Sequence, residues 1–368
     1  VQRFALRTAL TLALVSCSRP DQPVVLGIAG PFSQARGESM LRAAELAVAE
    51  INAQGTMRLE LRVRDDSASE GAALRIAQDF LADPRVVAVI GHLNSAPSRA
   101  AAQVYRSAPD PIPLVSPSAS SPDLRGVSPY FFRICPSDES FGQQLARYAH
   151  GVLAVRRAGV IFVNDDYGRG VRRTFVTEFT RLGGSITTED PYLPREGSVE
   201  PFLTRMRVAG GVDALILAAD RATGEAVLRQ RRELGLTWLT LGADGLTGVE
   251  ALGPPAEGVR IATAYLPDRP GERNARFVTA YQRAYPGRYP DHRGAGAYDI
   301  VYLLARAVDR VGRDRATIRD YLARVGTREP AFEGVTGRIA FDAQGDVPAK
   351  PVVIGVVRGG NLVTEPAP

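Results

Sequence analysis

Short apolar runs alternate with helix-length amphipathic stretches from Val24 to Val357, and few folds accommodate that beat. Val24 to Ile28 is an apolar run closed by Gly30-Pro31, which reads as a buried strand and a turn. The spacing of Met40, Ala44, Ala47, Val48 and Ile51 then predicts a helix over 38–54, stopped at Gly55. Further strands are predicted at Val86–Ile90, Ile112–Val115 and Tyr130–Ile134, with helices between. Leu59, Leu61 and Val63 alternate with polar residues, as an edge strand does. After Pro136-Ser137-Asp138 the pattern repeats, with strands at Gly159–Val163, Ala214–Leu217 and Trp238–Leu241. Strands separated by helices of ten or more residues pair in parallel and are covered on both faces. The expectation is an α/β chain of two doubly wound parallel-sheet lobes. Gly337–Asp342 and Val352–Val357 are expected to close it.

Composition removes several function classes. The formal charge of the 368 residues is +5, but Lys350 is the only lysine and the arginines are interspersed with acids. Without a basic block, no nucleic-acid partner is expected. Two cysteines cannot build a disulfide framework or a four-cysteine zinc site, and His92, His150 and His292 lack ligand spacing. No Walker loop, dinucleotide fingerprint or nucleophile elbow occurs, so neither a cofactor nor enzymatic chemistry is expected. No apolar run reaches the ~18 residues of a membrane span. Near the start, Arg3 and Arg7 precede the apolar stretch Ala9–Val15, which runs into Leu14-Val15-Ser16-Cys17. This resembles a bacterial lipobox: residues 1–16 are expected to be a signal peptide, Cys17 the lipidated residue and 17–23 a tether. Removing Arg3 and Arg7 leaves +3 and one thiol, Cys135, expected to be buried.

In open α/β sheets, ligands lie outside the carboxyl ends of the strands. Arg36 follows the first strand, Ser95 the third and Ser118-Ala119-Ser120 the fourth. Tyr167 follows the first strand of the second set, and Asp220 and Asp244 follow two later ones. Hydroxyls thus gather in one lobe, and carboxylates with a tyrosine in the other. Hydroxyls and helix-start N–H groups suit a carboxylate, and aspartates suit an ammonium, so the set matches an α-amino acid zwitterion. Taken singly, Ser95 and Ser120 could be helix caps, and Asp220 and Asp244 could sit in solvated turns.

Several segments, in order, carry a resemblance over about Val24 to Val357. They include Ala44-Glu45-Leu46-Ala47-Val48, Ile51-Asn52-Ala53-Gln54-Gly55, Val89-Ile90-Gly91-His92-Leu93, Ser116-Pro117-Ser118-Ala119, Tyr167-Gly168-Arg169-Gly170 and Phe341-Asp342 with Gly345-Asp346. The chain resembles the leucine/isoleucine/valine-binding protein family, the type I periplasmic solute-binding proteins of bacterial ABC amino-acid importers. The resemblance implies a first lobe of 24–137 and 266–344, a second of 138–265 and 345–364, and a three-strand hinge. It implies a monomer, in the periplasm or on the outer face of the cytoplasmic membrane, with an ABC permease as partner. It also implies hydroxyl contacts from Ser95 and Ser120 and a backbone contact at Ser118 around a ligand carboxylate. Tyr167 would close from the second lobe and Asp244 would meet the ligand ammonium. Asp220 stands where leucine-type members place an aromatic residue, and Arg36 falls near a side-chain-pocket tyrosine. Buried unpaired charges are costly beside an apolar group, so a polar or charged amino acid or a related amide is expected. Alternatively Arg36 pairs with Asp220 or Asp244, or points to solvent. A ligand-sensing receptor domain or a cell-wall-enzyme activator of the same fold remains the alternative function.

Overall fold

In a computed structural model the described residues are 22–193 and 197–365. The expected signal peptide and Cys17 lie outside them. Two sheets organise the chain. The first takes β1 (Val24–Gly30), β2 (Leu59–Asp65), β3 (Val86–Ile90), β4 (Leu114–Ser116) and β5 (Phe131–Arg133), in the order β2-β1-β3-β4-β5. Every pairing is parallel, and β2 is an edge strand, with Leu59 buried and Val63 exposed. Both β1 and β3 are buried throughout, as continuous apolar runs in a covered parallel sheet should be. Helices α1 (Ala35–Ala53), α2 (Glu70–Ala82) and α3 (Ser95–Arg106) make its crossovers.

The second sheet begins after α4 (Asp138–Arg147), which continues as a π-helical turn to Val152. It contains β6 (Arg157–Val163), β7 (Ser185–Tyr192), β8 (Ala214–Ala218), β9 (Leu239–Ala243) and β10 (Arg260–Thr263). Helices α5 (Asp166–Arg181), α6 (Glu200–Val208) and α7 (Arg221–Glu233) connect the strands. The chain then supplies α8 (Glu272–Ala284), α9 (His292–Val311) and α10 (Arg315–Arg324). Ile300, Leu303 and Leu304 of α9 and Ile318 and Leu322 of α10 pack in one core with Met40, Ala44 and Ala47 of α1 and Ile28 of β1. This late segment therefore covers the first sheet, not the second.

Two expectations at the end of the chain are corrected. Gly337–Asp342 forms only β12 (Gly337–Ile339), paired with β11 (Phe332–Gly334) in a ribbon outside both sheets. Its apolar residues Phe332, Ile339 and Phe341 are buried in the first-sheet core rather than in a sheet interior. The second sheet is mixed: β13 (Val353–Arg358) pairs antiparallel with β10, and β14 (Asn361–Thr364) antiparallel with β13.

Three connections run between the sheets: 134–137, 264–271 and 340–352. An ion pair ties the first to the third. Arg133 on β5 donates from Nε to Asp346 Oδ1 (2.6 Å) and from Nη2 to Oδ2 (2.9 Å), and its Nη1 donates to Ser121 O (2.9 Å). Arg125 adds a bond to Asp346 Oδ2 at 2.7 Å. Arg133 is 1% exposed, so its charge depends on this carboxylate. Cys135 is buried beside the Ala119 carbonyl, and burial pushes its thiol well above the ordinary range. Removing one partner of a buried pair strands the other. Asp346→Ala is expected to destabilise the fold by about 3–5 kcal/mol in denaturant titration. A loss under about 0.5 kcal/mol, the size of an ordinary surface substitution, would show that the pair does not hold the crossings.

Candidate functional site

Each sheet has one place where neighbouring strands send their helices to opposite faces. In the first sheet it lies between β1 and β3, because α1 packs on one face and α3 on the other. In the second it lies between β6 and β8, with α5 and α7 on opposite faces. Such a switch leaves a crevice at the carboxyl ends of the strands. The two crevices face one another across a narrow cleft lined from both sheets. Arg36 of α1, Leu93 and Asn94 before α3, and Ser95 in its first turn line one side, with Ser118 after β4. Asp165 and Tyr167 at the start of α5, Asp220 before α7, and Asp244 and Gly245 after β9 line the other. Arg293, in the first turn of α9, completes the lining.

Helix capping fixes several of these groups. Asp165 Oδ1 accepts from Gly168 N (2.7 Å), and Asp220 Oδ1 from Thr223 N (2.9 Å), so each caps its helix and faces the cleft. Gly168 lets α5 sit on the strand ends: a Cβ there would lie 2.0 Å from Val163 O. Asp291 caps α9 through Arg293 N and Gly294 N, both at 3.0 Å.

Asp244, 2% exposed, is the most connected lining group. Tyr167 donates its hydroxyl to Asp244 Oδ1 (3.0 Å) and accepts from Gly245 N (2.8 Å). His292 Nε2 lies 3.3 Å from Asp244 Oδ2 and 3.3 Å from Ser118 Oγ, while Arg293 Nη2 donates to Asp244 O at 3.1 Å. The start of α9, carried by the first sheet, thus holds a turn of the second. Burial, reinforced by the Asp244 charge, drives the Tyr167 hydroxyl well above its usual range, so it stays a donor. Gly245 is required here, since a Cβ would lie 2.7 Å from the Tyr167 hydroxyl and 2.5 Å from Ala219 O. Arg36 Nη1 lies 3.6 Å from Asp220 Oδ2 across the cleft. Burial lowers the Arg36 pKa, with Asp220 pulling the other way. Asp165 opens to solvent at the cleft mouth, yet enclosure by the walls raises its pKa, and Asp220 and Asp166 add to the rise.

The geometry brings together six of the eight residues expected at a ligand: Arg36, Ser95, Ser118, Tyr167, Asp220 and Asp244. Ala119 and Ser120 lie elsewhere. Both are fully buried behind the lining, where Ala119 O faces Arg133 Nη1 (3.3 Å) and Ser120 O accepts from Asp138 N (2.8 Å). The Ser120 hydroxyl is buried without a hydrogen-bond partner among the described residues and is not part of the cleft lining. Ser95 is not the helix cap, a position held by Asn94; its Oγ accepts from Ser121 N at 3.2 Å. The alternative pairing of Arg36 with Asp220 is the arrangement seen. Leu93, Asn94, Asp165 and Gly245 also line the cleft, beside the expected residues in sequence but not among them. Arg293 follows no predicted strand; it lies in the first turn of α9. The signal for it was Asp291, a cap residue ahead of a polar first turn. His92 is fully buried with Nδ1 2.6 Å from Asp66 Oδ2.

Comparisons with known proteins agree with this architecture. A family model described as "Periplasmic binding protein" matches residues 23–361. The chain is similar to Leu/Ile/Val-binding protein homolog 2 of Brucella abortus, 27% identical over 350 residues, covering 92% of this chain and 91% of that one. Among solved structures it resembles an ABC transporter substrate-binding protein of Desulfitobacterium hafniense in complex with Leu. The TM-score is 0.81 at 30% identity, over 94% of this chain and 100% of that one. It also resembles a leucine-binding protein of Thermotoga maritima, with a TM-score of 0.85 at 26% identity, over 93% and 98%.

The Tyr167 hydroxyl can be tested directly. Tyr167→Phe removes one partner from Asp244 Oδ1 and from Gly245 N. Because unsatisfied buried groups cost about 1–3 kcal/mol, a loss of that size is expected in denaturant titration. An unchanged midpoint would show that the hydroxyl does not hold the Asp244 turn.

Proposed function

Because this chain belongs to the periplasmic binding protein family, a family of binding proteins and not of enzymes, we propose that it captures an α-amino acid, or a related amide, with a polar or charged side chain and delivers it to an ABC permease. One observation carries the side-chain part of this reading: Leu93 is the single aliphatic side chain among the described lining residues. A leucine side chain would lie against Arg36 and Asp220, whose desolvation it could not repay with a hydrogen bond. The ligand carboxylate is assigned to the start of α3, where Ser95, Ser118 and first-turn N–H groups converge. The ammonium is assigned to Asp244, which Tyr167 orients. Binding would draw together the lobes 24–137 with 266–344 and 138–265 with 345–364, because each supplies half of the contacts. Arg99 Nε to Asp166 Oδ2, at 3.1 Å, is a further contact between α3 and α5 that such closure makes.

The location follows from the same reading: a monomer outside the cytoplasmic membrane, held by a lipid on Cys17. No helix among the described residues is long and apolar enough to cross a membrane. Cys17→Ala is expected to move the protein from the membrane fraction to the soluble one, and unchanged membrane association would remove the anchor from the account.

Isothermal calorimetry with the common amino acids tests the ligand class. Binding of at least one polar or charged amino acid more tightly than leucine is expected. Tight leucine binding with no polar ligand would contradict the side-chain reading, and no binding at all would favour an activator of a cell-wall enzyme.

A further inference from the structure

The charges lining the cleft do not balance. Among the described lining residues Asp165, Asp220 and Asp244 stand with two guanidiniums, Arg36 and Arg293, while His292 behind the lining approaches Asp244 Oδ2 at 3.3 Å. Arg293 is matched outside the lining, with Nη1 2.8 Å from Asp291 Oδ2. Arg36 is the remaining cation. It stands 3.6 Å from Asp220, beyond hydrogen-bond length, and spends its Nε on Gln34 Oε1 at 2.8 Å. Asp165 has no ion pair among the described residues; its Oδ1 accepts only the cap N–H of Gly168. Asn94 Oδ1 is buried and has no hydrogen-bond partner among the described residues. The cleft is therefore rich in acceptors. An amino-acid zwitterion brings one charge of each sign and leaves the carboxylate excess as it was.

We infer that the ligand carries an additional positive charge on its side chain, an ammonium or guanidinium seated between Asp165 and Asp220, as in a basic amino acid. This rests on the amino-acid reading above and narrows it. Asp165 and Asp220 cap α5 and α7, which flank the crevice of the second sheet, and both line the cleft within electrostatic reach of one another. Enclosure raises the pKa of Asp165, and the neighbouring charges of Asp220 and Asp166 add to the rise. In the structure Arg36 stands in for the ligand cation, reaching across from the opposite sheet with a long, imperfect contact. An acidic side chain would find Arg36 but would also meet the aspartates, and like charges close together disfavour it.

Asn caps a helix as well as Asp does, so Asp165→Asn and Asp220→Asn remove charge and keep the fold. Calorimetry is run with L-arginine, L-lysine, L-ornithine, L-glutamine and L-glutamate on the wild type, on both variants and on Arg36→Gln. The expected result is that a basic amino acid binds the wild type at least about tenfold more tightly than glutamine. Each Asp→Asn change weakens that binding by about tenfold and leaves glutamine within about twofold. Arg36→Gln tightens the basic ligand, because the internal competitor is gone. Glutamine or glutamate as the tightest ligand, or equal losses for glutamine and the basic ligand in the variants, would overturn the charge assignment while leaving amino-acid capture intact. Binding of none of the five would overturn amino-acid capture itself, and this assignment with it.

Discussion

A parallel sheet forces each strand to hand over to a helix at its carboxyl end, and most of what matters in this protein follows from that constraint. The handover aims helix first turns, with their free N–H groups, at the rim of the sheet. Where successive helices leave by opposite faces, the rim opens. Both sheets do this once, between β1 and β3 and between β6 and β8, and the openings face each other. Five helix starts therefore meet in one cleft, four from the crossover helices α1, α3, α5 and α7 and one from α9.

The contribution of α9 makes the cleft more than two independent rims. After β10 the chain returns to the first sheet, and the α9 start carries His292 and Arg293 to the Asp244 turn of the second. Opening the lobes must break or stretch these contacts, along with Arg36–Asp220. The hinge has the opposite character: Arg133 and Asp346 form a buried two-point contact that ties one crossing segment to another. A stiff hinge anchor and a weakly paired cleft, with a 3.6 Å contact at its mouth, are what a closing clamp needs.

Much of this was legible in the sequence, for identifiable reasons. The strand cores were clear because Val86–Ile90 and Ala214–Leu217 are continuous apolar runs that nothing but a covered strand explains. Helix interiors were clear from their spacing, and the helix expected over 38–54 matches α1 over most of its length. Helix starts were not. The helix expected from 38 begins at Ala35, and α3, α5 and α7 begin at the polar residues Ser95, Asp166 and Arg221. First turns at a cleft are polar, so they carry no apolar period, and a functional residue such as Tyr167 reads as loop. Arg293 escaped for the same reason, and because only the fold returns α9 to the cleft. Ser120 went the other way: it follows a strand like its neighbours, but the chain turns inward and buries it beside Asp138.

The central claim is that the paired switch points form one ligand site shared by both lobes. Hydrogen–deuterium exchange with and without a bound amino acid tests it most directly. The account predicts simultaneous protection of the first turns of α3 and α5 and of the turn at Asp244, with the outer strands β2 and β14 unchanged. Protection confined to one sheet, or centred away from these helix starts, would contradict it.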